Sequence, residues 1–237
     1  MKRLQEKNPI WFAVAWIVIY CVLSVPIRGN RGDESVQMCV GLGLIAAALA
    51  LTIAVTRRWN YYGLDHWPET GKKLLWLLPL WLLTTGNLWG GIAPTYSGAA
   101  QIYAVVSMAL IGFIEEVIFR GFLFRAMLKK DGARAAVIVS AVTFGIGHLV
   151  NLFAGQGGWE SVMQVLFAIS LGFVFTLVYC KGGSLLPCIL AHSLVDVFSK
   201  YSTDSLTADW IYVIATIVIG GAYSLWLVRQ ESALREG

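Results

Sequence analysis

Two adjacent glutamates and an arginine lie inside an otherwise apolar stretch, IEEVIFRGF at 114–122. A charged side chain at the centre of a membrane-spanning helix costs about 2.5–3.5 kcal/mol, so such residues predict a functional site. Glu116 and Arg120 are four residues apart and share one helix face, where an ion pair offsets part of this cost. Glu115 is rotated about 100° away and is less completely neutralised, which makes it the better candidate for a general base. A buried packing network is the alternative explanation for all three residues.

Two of the three histidines also lie in apolar stretches. His148 follows Phe144 by one helical turn in TFGIGHLVN, and Asp196 follows His192 by one turn in LAHSLVD. A carboxylate one turn away from an imidazole can hydrogen-bond it and fix its tautomer. A lone buried histidine is usually a core residue, whereas two histidines at the depth of the glutamates favour a site. The third, His66, is expected in a solvated loop.

Three helices are expected to bring these groups to one layer of the membrane. A helical hairpin turning within KKDGAR (129–134) places the glutamates about 16 residues before the turn and His148 about 16 residues after it. At about 1.5 Å per residue, the glutamates lie roughly 14 Å from Arg125, and His192 lies roughly 16 Å from Lys181. Since these cations mark the predicted cytoplasmic boundary, the polar layer is expected in the cytoplasmic half of the membrane.

The composition is that of a polytopic membrane protein, because 57% of the 237 residues are hydrophobic, 14% are charged and the mean hydropathy is +0.68. Apolar runs long enough to cross a bilayer predict about eight spans in one all-α bundle. We expect a single transmembrane domain over 1–237, with its motif-bearing core at 100–200. The first run lacks a small-x-small cleavage site, so we interpret it as a retained helix. The runs are 10–27, 36–56, 74–93, 100–123, 135–153, 161–180, 184–200 and 209–228.

Small residues near the motifs are expected to let the motif-bearing helices approach closely. Gly112 precedes the glutamates, and Gly145 and Gly147 lie beside His148. Glycines at such positions allow helix backbones to pack tightly in a membrane.

The lysines and arginines lie at predicted helix ends and are divided unequally between the membrane faces. With the N-terminus in the cytoplasm, 14 cations lie inside and 3 outside, which predicts that both termini are cytoplasmic. Because the cations do not form one continuous basic helix face, the net charge of +4 does not indicate a nucleic-acid partner; membrane lipid is the expected surrounding. The inside set is Lys2, Arg3, Lys7, Arg57, Arg58, Lys72, Lys73, Arg125, Lys129, Lys130, Arg134, Lys181, Arg229 and Arg235, and the outside set is Arg28, Arg31 and Lys200.

Together the three motifs resemble those of the CPBP family, also called the type II CAAX prenyl endopeptidase or Abi family. EEVIFR is similar to its E-E-x-x-x-R motif, FGIGH to its F-x-x-x-H motif and HSLVD to its H-x-x-x-(N/D) motif, in the same order over residues 115–196. The resemblance implies an eight-helix bundle with an intramembrane cavity open to the cytoplasm and a glutamate-dependent intramembrane endopeptidase. Asp196 stands where the eukaryotic prenyl-protein proteases of the family carry asparagine. Many prokaryotic relatives carry aspartate there, which favours a prokaryotic plasma membrane.

Hydrolysis of a peptide bond requires a base, an oxyanion stabiliser and a proton for the leaving amine. Glu115 and His148 are expected to activate the water. His192 and Asp196 are expected on the oxyanion side, with Asp196 orienting His192. The supporting residues are Glu116, Arg120 and Phe144. The expected substrate is a peptide or a lipidated protein, cleaved near its C-terminal or membrane-proximal part, and no cofactor is expected.

Three other functions stay open from the residues alone. Two histidines and a glutamate are a plausible zinc set for a membrane peptidase, although the chain has no H-E-x-x-H pair. A proton-coupled transporter would use the carboxylates and histidines as a relay, although no inverted halves are visible. A non-catalytic membrane scaffold, as in bacteriocin immunity or surface-protein display, would also carry the motifs.

Overall fold

The computed structural model describes residues 2–68 and 71–230, and the regular structure within these ranges is helical. The predicted all-α class is confirmed. Short 3-10 segments, Gly71–Leu77 and Gly86–Leu88, flank α4, and another, His148–Ala154, follows α6. The helices in chain order are α1 (Lys2–Lys7), α2 (Pro9–Arg31), α3 (Val36–Thr56), α4 (Leu78–Thr84), α5 (Gly98–Glu116), α6 (Arg125–Gly147), α7 (Gly158–Gly182), α8 (Leu186–Ser199) and α9 (Leu206–Val228).

The apolar helices follow the predicted order along the chain. By length and composition, the segments able to cross a membrane are α2, α3, the continuous segment Gly98–Phe153, α7 and α9. Two shorter apolar helices, Leu74–Thr84 and Leu186–Ser199, complete the bundle. Because Gly98–Phe153 folds back on itself, each predicted apolar run other than the third corresponds to one helical segment.

The segment Gly98–Phe153 is a helical hairpin. At Gly132 the backbone has φ 78° and ψ 173°, a non-helical conformation that glycine adopts without the steric penalty of a side chain. The hydroxyl of Ser140 donates to the carbonyl of Phe119 at 3.0 Å, so the two arms lie side by side. The turn predicted within KKDGAR is therefore confirmed.

Directly after the two glutamates, α5 continues as a π-helix over Val117–Phe124. The residues of this segment, Arg120 among them, are buried. Helices of this kind are rare and recur at functional sites, because the wider turn changes which face a side chain occupies. The π-helix thus connects the glutamates to Arg125, where α6 begins.

Glycines set the spacing of the helices that carry the motifs. A Cβ atom on Gly112 of α5 would come 2.5 Å from the backbone nitrogen of Ser193 on α8. A Cβ atom on Gly145 of α6 would come 2.8 Å from the backbone nitrogen of Ile169 on α7. The close approach predicted for Gly112 and Gly145 is confirmed, whereas a Cβ atom on Gly147 would make only ordinary contact.

The third apolar run differs most from its prediction. Instead of one helix over 74–93, α4 ends at Thr84, and after a short 3-10 turn irregular chain leads to Gly98. Polar side chains in TTGN bond backbone groups rather than extending the helix. The amide of Asn87, for example, donates to the carbonyl of Val195 on α8 at 2.7 Å.

The two ends of the bundle differ in charge. At the end called here the cationic end, α1, the loop after α3, the hairpin turn and the α7–α8 connection come together, and the N–H of Leu185 donates to the carbonyl of Gly63 at 2.8 Å. At the opposite end, called the mouth end, Lys200 after α8 pairs with Asp33 of the α2–α3 loop at 3.0 Å. Of the cations predicted inside, Arg235 and the side chains of Lys2, Arg3, Lys72 and Lys73 lie outside the described part of the structure; the others lie at the cationic end.

Candidate active site

The predicted site residues of all three motifs converge on one cavity. This active-site cavity has a volume of about 550 Å³ and lies between α2, α5, α8 and the end of α6. Its wall includes Tyr20, Glu115, His148, His192 and Asp196. Glu115 and His192 are almost fully buried. A polar wall inside an apolar bundle makes this cavity the candidate active site.

A buried ion pair holds one of the two histidines. The Oε1 atom of Glu116 accepts from Nη1 of Arg120 at 2.7 Å and from Nδ1 of His192 at 2.9 Å. Glu116 and Arg120 are both fully buried, so each charge depends on the other for compensation. The predicted pair is confirmed. Because Nδ1 of His192 contacts Glu116, its Nε2 atom lies on the side of the ring that lines the cavity.

Helix α7 completes the surroundings of Arg120. Its Nη2 donates to the carbonyl of Gly172 at 3.3 Å, and its Nε donates to the hydroxyl of Thr176 at 3.4 Å. The guanidinium lies 4.2 Å from the ring centroid of Phe144, an arrangement that stabilises a cation. Arg120 is thereby held on every side by groups of the chain itself.

Phe144 is the packing element shared by the motifs. Its ring centroid lies 5.1 Å from that of His148 and 5.5 Å from that of His192, both in edge contact. On the other side of His192, the ring of Phe175 is stacked at 5.4 Å. The imidazole of His192 is thus fixed in position by two aromatic rings and one carboxylate.

Glu115 lines the cavity, and one of its two carboxylate oxygens is hydrogen-bonded while the other is not. Its Oε1 accepts from the hydroxyl of Tyr20 on α2 at 2.8 Å. Its Oε2 lies 3.7 Å from Nε2 of His192 and has no hydrogen-bond partner among the described residues. An ionised carboxylate oxygen has lone pairs free to accept from water. Glu115 is therefore the group in the cavity best placed to take a proton.

His148 and Asp196 complete the polar wall. The Nδ1 atom of His148 lies 3.0 Å from the carbonyl of Phe144. If Nδ1 carries the proton that this contact requires, the neutral ring offers Nε2 as an acceptor. Asp196 lies 3.6 Å from Nε2 of His192. Glu116 makes the shorter contact with His192, at 2.9 Å to Nδ1, and therefore orients the ring. Asp196 lies on the opposite, cavity side of the ring, near Nε2.

An ion cluster lines the outer part of the same cavity. Arg28 Nε lies 2.8 Å and Lys200 Nζ 3.0 Å from the two carboxylate oxygens of Asp33. Burial alone would raise the pKa of Asp33, but the positive charges of Arg28 and Lys200 hold it below its ordinary value. Arg28 Nη1 also donates to Oδ1 of Asn151 at 3.2 Å. We call Arg28, Asp33 and Lys200 the mouth cluster.

The mouth cluster shows towards which end the cavity extends. Its members, and Gln156 of the α6–α7 connection, line the cavity and belong to the end opposite the cationic end. A cavity open to the cytoplasm and termini in the cytoplasm were both expected from the sequence. The two expectations exclude each other, because α1 lies at the cationic end whereas the cavity extends to the mouth end.

Metal ligation receives no geometric support in the described ranges. Within residues 2–68 and 71–230, no group of three or more His, Cys, Asp or Glu side chains is arranged as a metal site. The zinc alternative therefore rests on residue types alone.

Comparison with known proteins places the motif-bearing segment in a family. Residues 98–198 match the family model described as type II CAAX prenyl endopeptidase Rce1-like. The chain carries an Rce1-like domain. The resemblance drawn from the three motifs is confirmed for this segment, which is similar to the type II CAAX prenyl endopeptidases. The Rce1-like domain contains α5 to α8, and Tyr20 and the other α2 residues of the site lie outside it.

One curated relative also aligns with part of the chain. The protein named "Putative membrane peptidase YdiL" from Bacillus subtilis (strain 168) is 27% identical over 100 residues, which are 42% of this chain and 36% of that protein. The chain thus matches little more than a third of the relative's length. No solved structure matches the chain.

Several site residues are not predicted from the sequence. Tyr20 carries a hydroxyl in the middle of a predicted span, whereas most other Trp and Tyr residues fall near helix ends; that position is the signal that could have found it. Gly172, Thr176 and Phe175 lie in an apolar run without a polar pattern. For Arg28, the sequence predicts only a position on the outer side of the membrane.

Proposed function

We propose that the protein is an intramembrane endopeptidase in which Glu115 and His148 activate a water molecule. The observation that carries the proposal is the carboxylate of Glu115 in the wall of a polar cavity: its Oε1 accepts from the hydroxyl of Tyr20, and its buried Oε2 has no hydrogen-bond partner among the described residues. A base must be within reach of the proton it removes, and a wall containing Glu115 and His148 offers two acceptors to one water.

The reaction follows from these positions. The water oxygen attacks the peptide carbonyl carbon while one of its protons passes to Oε2 of Glu115. His148 Nε2 accepts a hydrogen bond from the same water and orients it. The tetrahedral intermediate then collapses, the carbon–nitrogen bond breaks, and the nitrogen takes the proton from Glu115. The products are a carboxylic acid and an amine, and transfer of the acid proton to the amine gives a carboxylate and an ammonium group.

His192 is the stabiliser of the developing oxyanion. Its Nε2 lies 3.7 Å from Glu115 Oε2 and 3.6 Å from Asp196 Oδ2, so two carboxylates stabilise a proton on this nitrogen. A preoriented N–H donor in a dry site stabilises an oxyanion more than water does. Glu116 and Arg120 act as positioning residues, because Glu116 contacts His192 from behind, Arg120 pairs with Glu116, and neither lines the cavity.

The substrate class follows from the location of the cavity. The cavity that contains Glu115 lies inside the bundle, between α2, α5, α8 and the end of α6. This location supports a substrate that is an extended peptide or the membrane-proximal part of a lipidated protein. The bond that is cleaved lies near the C-terminal or membrane-proximal end of that substrate.

In a prokaryotic plasma membrane, the charge distribution of the protein favours one orientation over the other. Cations of short loops remain on the cytoplasmic side, which assigns the cationic end and both termini to the cytoplasm. The mouth cluster and the entrance of the active-site cavity then face the other side of the membrane.

Cysteine labelling tests this orientation. In a variant whose four native cysteines are replaced by serine, Gln156→Cys should react with a membrane-impermeant maleimide in intact cells, and Lys130→Cys only after permeabilisation. The reverse pattern would place the entrance in the cytoplasm and leave the catalytic roles unchanged.

The catalytic proposal is tested by Glu115→Gln, with Glu160→Gln on the exposed start of α7 as the matched control. Membranes containing each variant are compared by mass spectrometry of peptides and protein termini. Glu115→Gln should reduce cleavage by about 100-fold or more, the contribution expected of a general base, and Glu160→Gln should not. Near-normal cleavage by Glu115→Gln sinks the assignment. Loss of cleavage with a chelator and its recovery with zinc would establish the zinc peptidase instead.

A further inference from the structure

A second cavity lies at the cationic end and is separate from the active site. Its volume is about 990 Å³, and it is enclosed by α1, the start of α2, the loop after α3 and the junction between the π-helix and α6. None of its lining residues lines the active-site cavity. We call it the cationic cavity.

The charge of this cavity is strongly unbalanced. One acidic residue, Glu6, lines it, and that carboxylate is engaged by Arg58 at 2.9 Å. The cations lining it are Lys7, Arg57, Arg58, Arg125, Lys129 and Lys130. The excess of positive charge in one concave site is the electrostatic complement of an anion.

Arg57 occupies a backbone conformation that disfavours arginine. It caps α3 with φ 55° and ψ 41°, in the left-handed region, where glycine or asparagine is usual. It is the only residue other than glycine with positive φ in the described ranges. An outlier of this kind points to a role of the side chain, here its charge in the cavity.

Arg125 has donor capacity that the described residues do not use. Its guanidinium lies 4.1 Å from the ring centroid of Tyr61, and its Nε is buried without a hydrogen-bond partner. A planar guanidinium presents several donors in a fork suited to phosphate oxygens. Because Arg125 lines the cavity, its guanidinium adds to the positive charge that an anion there would meet.

The other wall of the cavity is apolar and partly exposed. Ile10, Trp11, Phe12 and Phe122 line it, and Trp11 is 73% exposed. The ligand that fits is therefore amphipathic, with an anionic head beside the cations and hydrocarbon beside Trp11. Basic pockets between spanning helices recognise lipid headgroups through this combination.

We propose that the cationic cavity binds the phosphate-bearing headgroup of an anionic phospholipid. Arg57, Arg125 and Lys129 contact the phosphate, and the acyl chains follow the exposed surface of α2 beside Trp11. Binding here is independent of catalysis in the other cavity, so it is measured without any protease assay.

The test uses the purified full chain in a neutral detergent. Native mass spectrometry and thermal unfolding are followed during titration with phosphatidylglycerol, phosphatidylcholine, glycerol 3-phosphate and inorganic phosphate. Phosphatidylglycerol should bind at least tenfold more tightly than the others. Equal binding of phosphatidylcholine would overturn the proposal, and equal binding of glycerol 3-phosphate would show a site for a soluble phosphate instead.

Substitutions locate the binding site. Arg57→Asn, Arg125→Gln and Lys129→Gln should each weaken phosphatidylglycerol binding by about fivefold, the effect expected for one cation near an anionic lipid. Arg134→Gln is the matched control, because Arg134 lies at the same end but does not line the cavity. Asparagine suits the left-handed conformation at position 57, so Arg57→Asn removes the charge without endangering the fold. Equal weakening by Arg134→Gln would show diffuse surface attraction and overturn the assigned site.

Discussion

Behind the active-site cavity, Glu116 and Arg120 are fully buried, and their side chains meet at 2.7 Å. In the cationic cavity, Arg57 and Lys129 are exposed and line a wall that contains one carboxylate. Both regions concentrate charge in an apolar protein. In the first, the charges of Glu116 and Arg120 are matched by each other, because burial without a partner is costly. In the second, the partner comes from outside the chain. Charged side chains that are paired within the chain therefore hold a site in place, whereas charged side chains without such a partner are available to bind a ligand.

The largest expected effect breaks the internal pairing. Arg120→Met leaves the buried carboxylate of Glu116 with His192 as its remaining partner and removes the contacts to Gly172 and Thr176. We expect a loss of about 3–5 kcal/mol in the free energy of unfolding, as for other broken buried pairs. Lys129→Met in the cationic cavity should change it by about 0.5 kcal/mol or less. Denaturant unfolding in detergent measures both, and similar values for the two variants would remove the distinction.

A smaller effect is expected from the hydrogen bond that reaches the site from outside the Rce1-like domain. Tyr20→Phe removes the donor to Glu115 Oε1. Because a hydrogen bond to a charged group contributes about 1.5–3 kcal/mol, kcat should fall by about tenfold or more while KM stays nearly unchanged. Tyr103→Phe on α5, which does not line the cavity, is the control. A change confined to KM would assign Tyr20 to substrate binding instead.

The mouth cluster gives a pH-dependent prediction. The pKa of Asp33 is lowered from its ordinary value of 3.8, so the folded protein favours the charged form more than the unfolded chain does. Its stabilisation, about 1 kcal/mol for a partly exposed pair, is complete above about pH 5 and is lost as the pH falls through the lower folded-state pKa.

Asp33→Asn measures that contribution. At pH 7 it should lower the unfolding midpoint, and the difference from the wild-type protein should shrink below about pH 4. Glu34→Gln in the same loop is the control. A difference that stays constant down to pH 2 would show that the charge of Asp33 is not what stabilises the loop.

The smallest effect concerns the backbone of Arg57. Arg57→Gly removes the steric penalty of the left-handed conformation, worth about 0.5–1 kcal/mol. In neutral detergent without anionic lipid, the variant should therefore be slightly more stable than the wild-type protein. Phosphatidylglycerol should narrow or reverse that difference. If Arg57→Gly is less stable under both conditions, the arginine serves the fold rather than a ligand.

The sequence predicts those structural features that depend on residues only a few positions apart. The Glu116–Arg120 pair follows from a four-residue interval, and the hairpin follows from a glycine between two apolar runs. The meeting of Glu115, His148 and His192 could be predicted because helical rise fixes their depths. The three motifs carry the family resemblance for the same reason, since each is one helical turn long.

Contacts between distant helices could not be predicted in the same way. Tyr20 reaches Glu115 across 95 positions of sequence, and nothing in the pattern of α2 specifies which neighbour it faces. The direction of the active-site cavity depends on how α2 and α8 lean against α5, so the mouth cluster became visible only in three dimensions. The early end of α4 depends on side-chain bonds such as that of Asn87 to α8.

The π-helix over Val117–Phe124 constrains the length of the chain as well as its composition. It lies between Glu115 of one cavity and Arg125 of the other, and it contains Phe122 of the second cavity. Each residue deleted or inserted within it would turn the following helix by about 100° relative to Glu115. Substitutions in this segment that keep its volume should be tolerated, whereas a single-residue insertion or deletion would misalign both cavities at once.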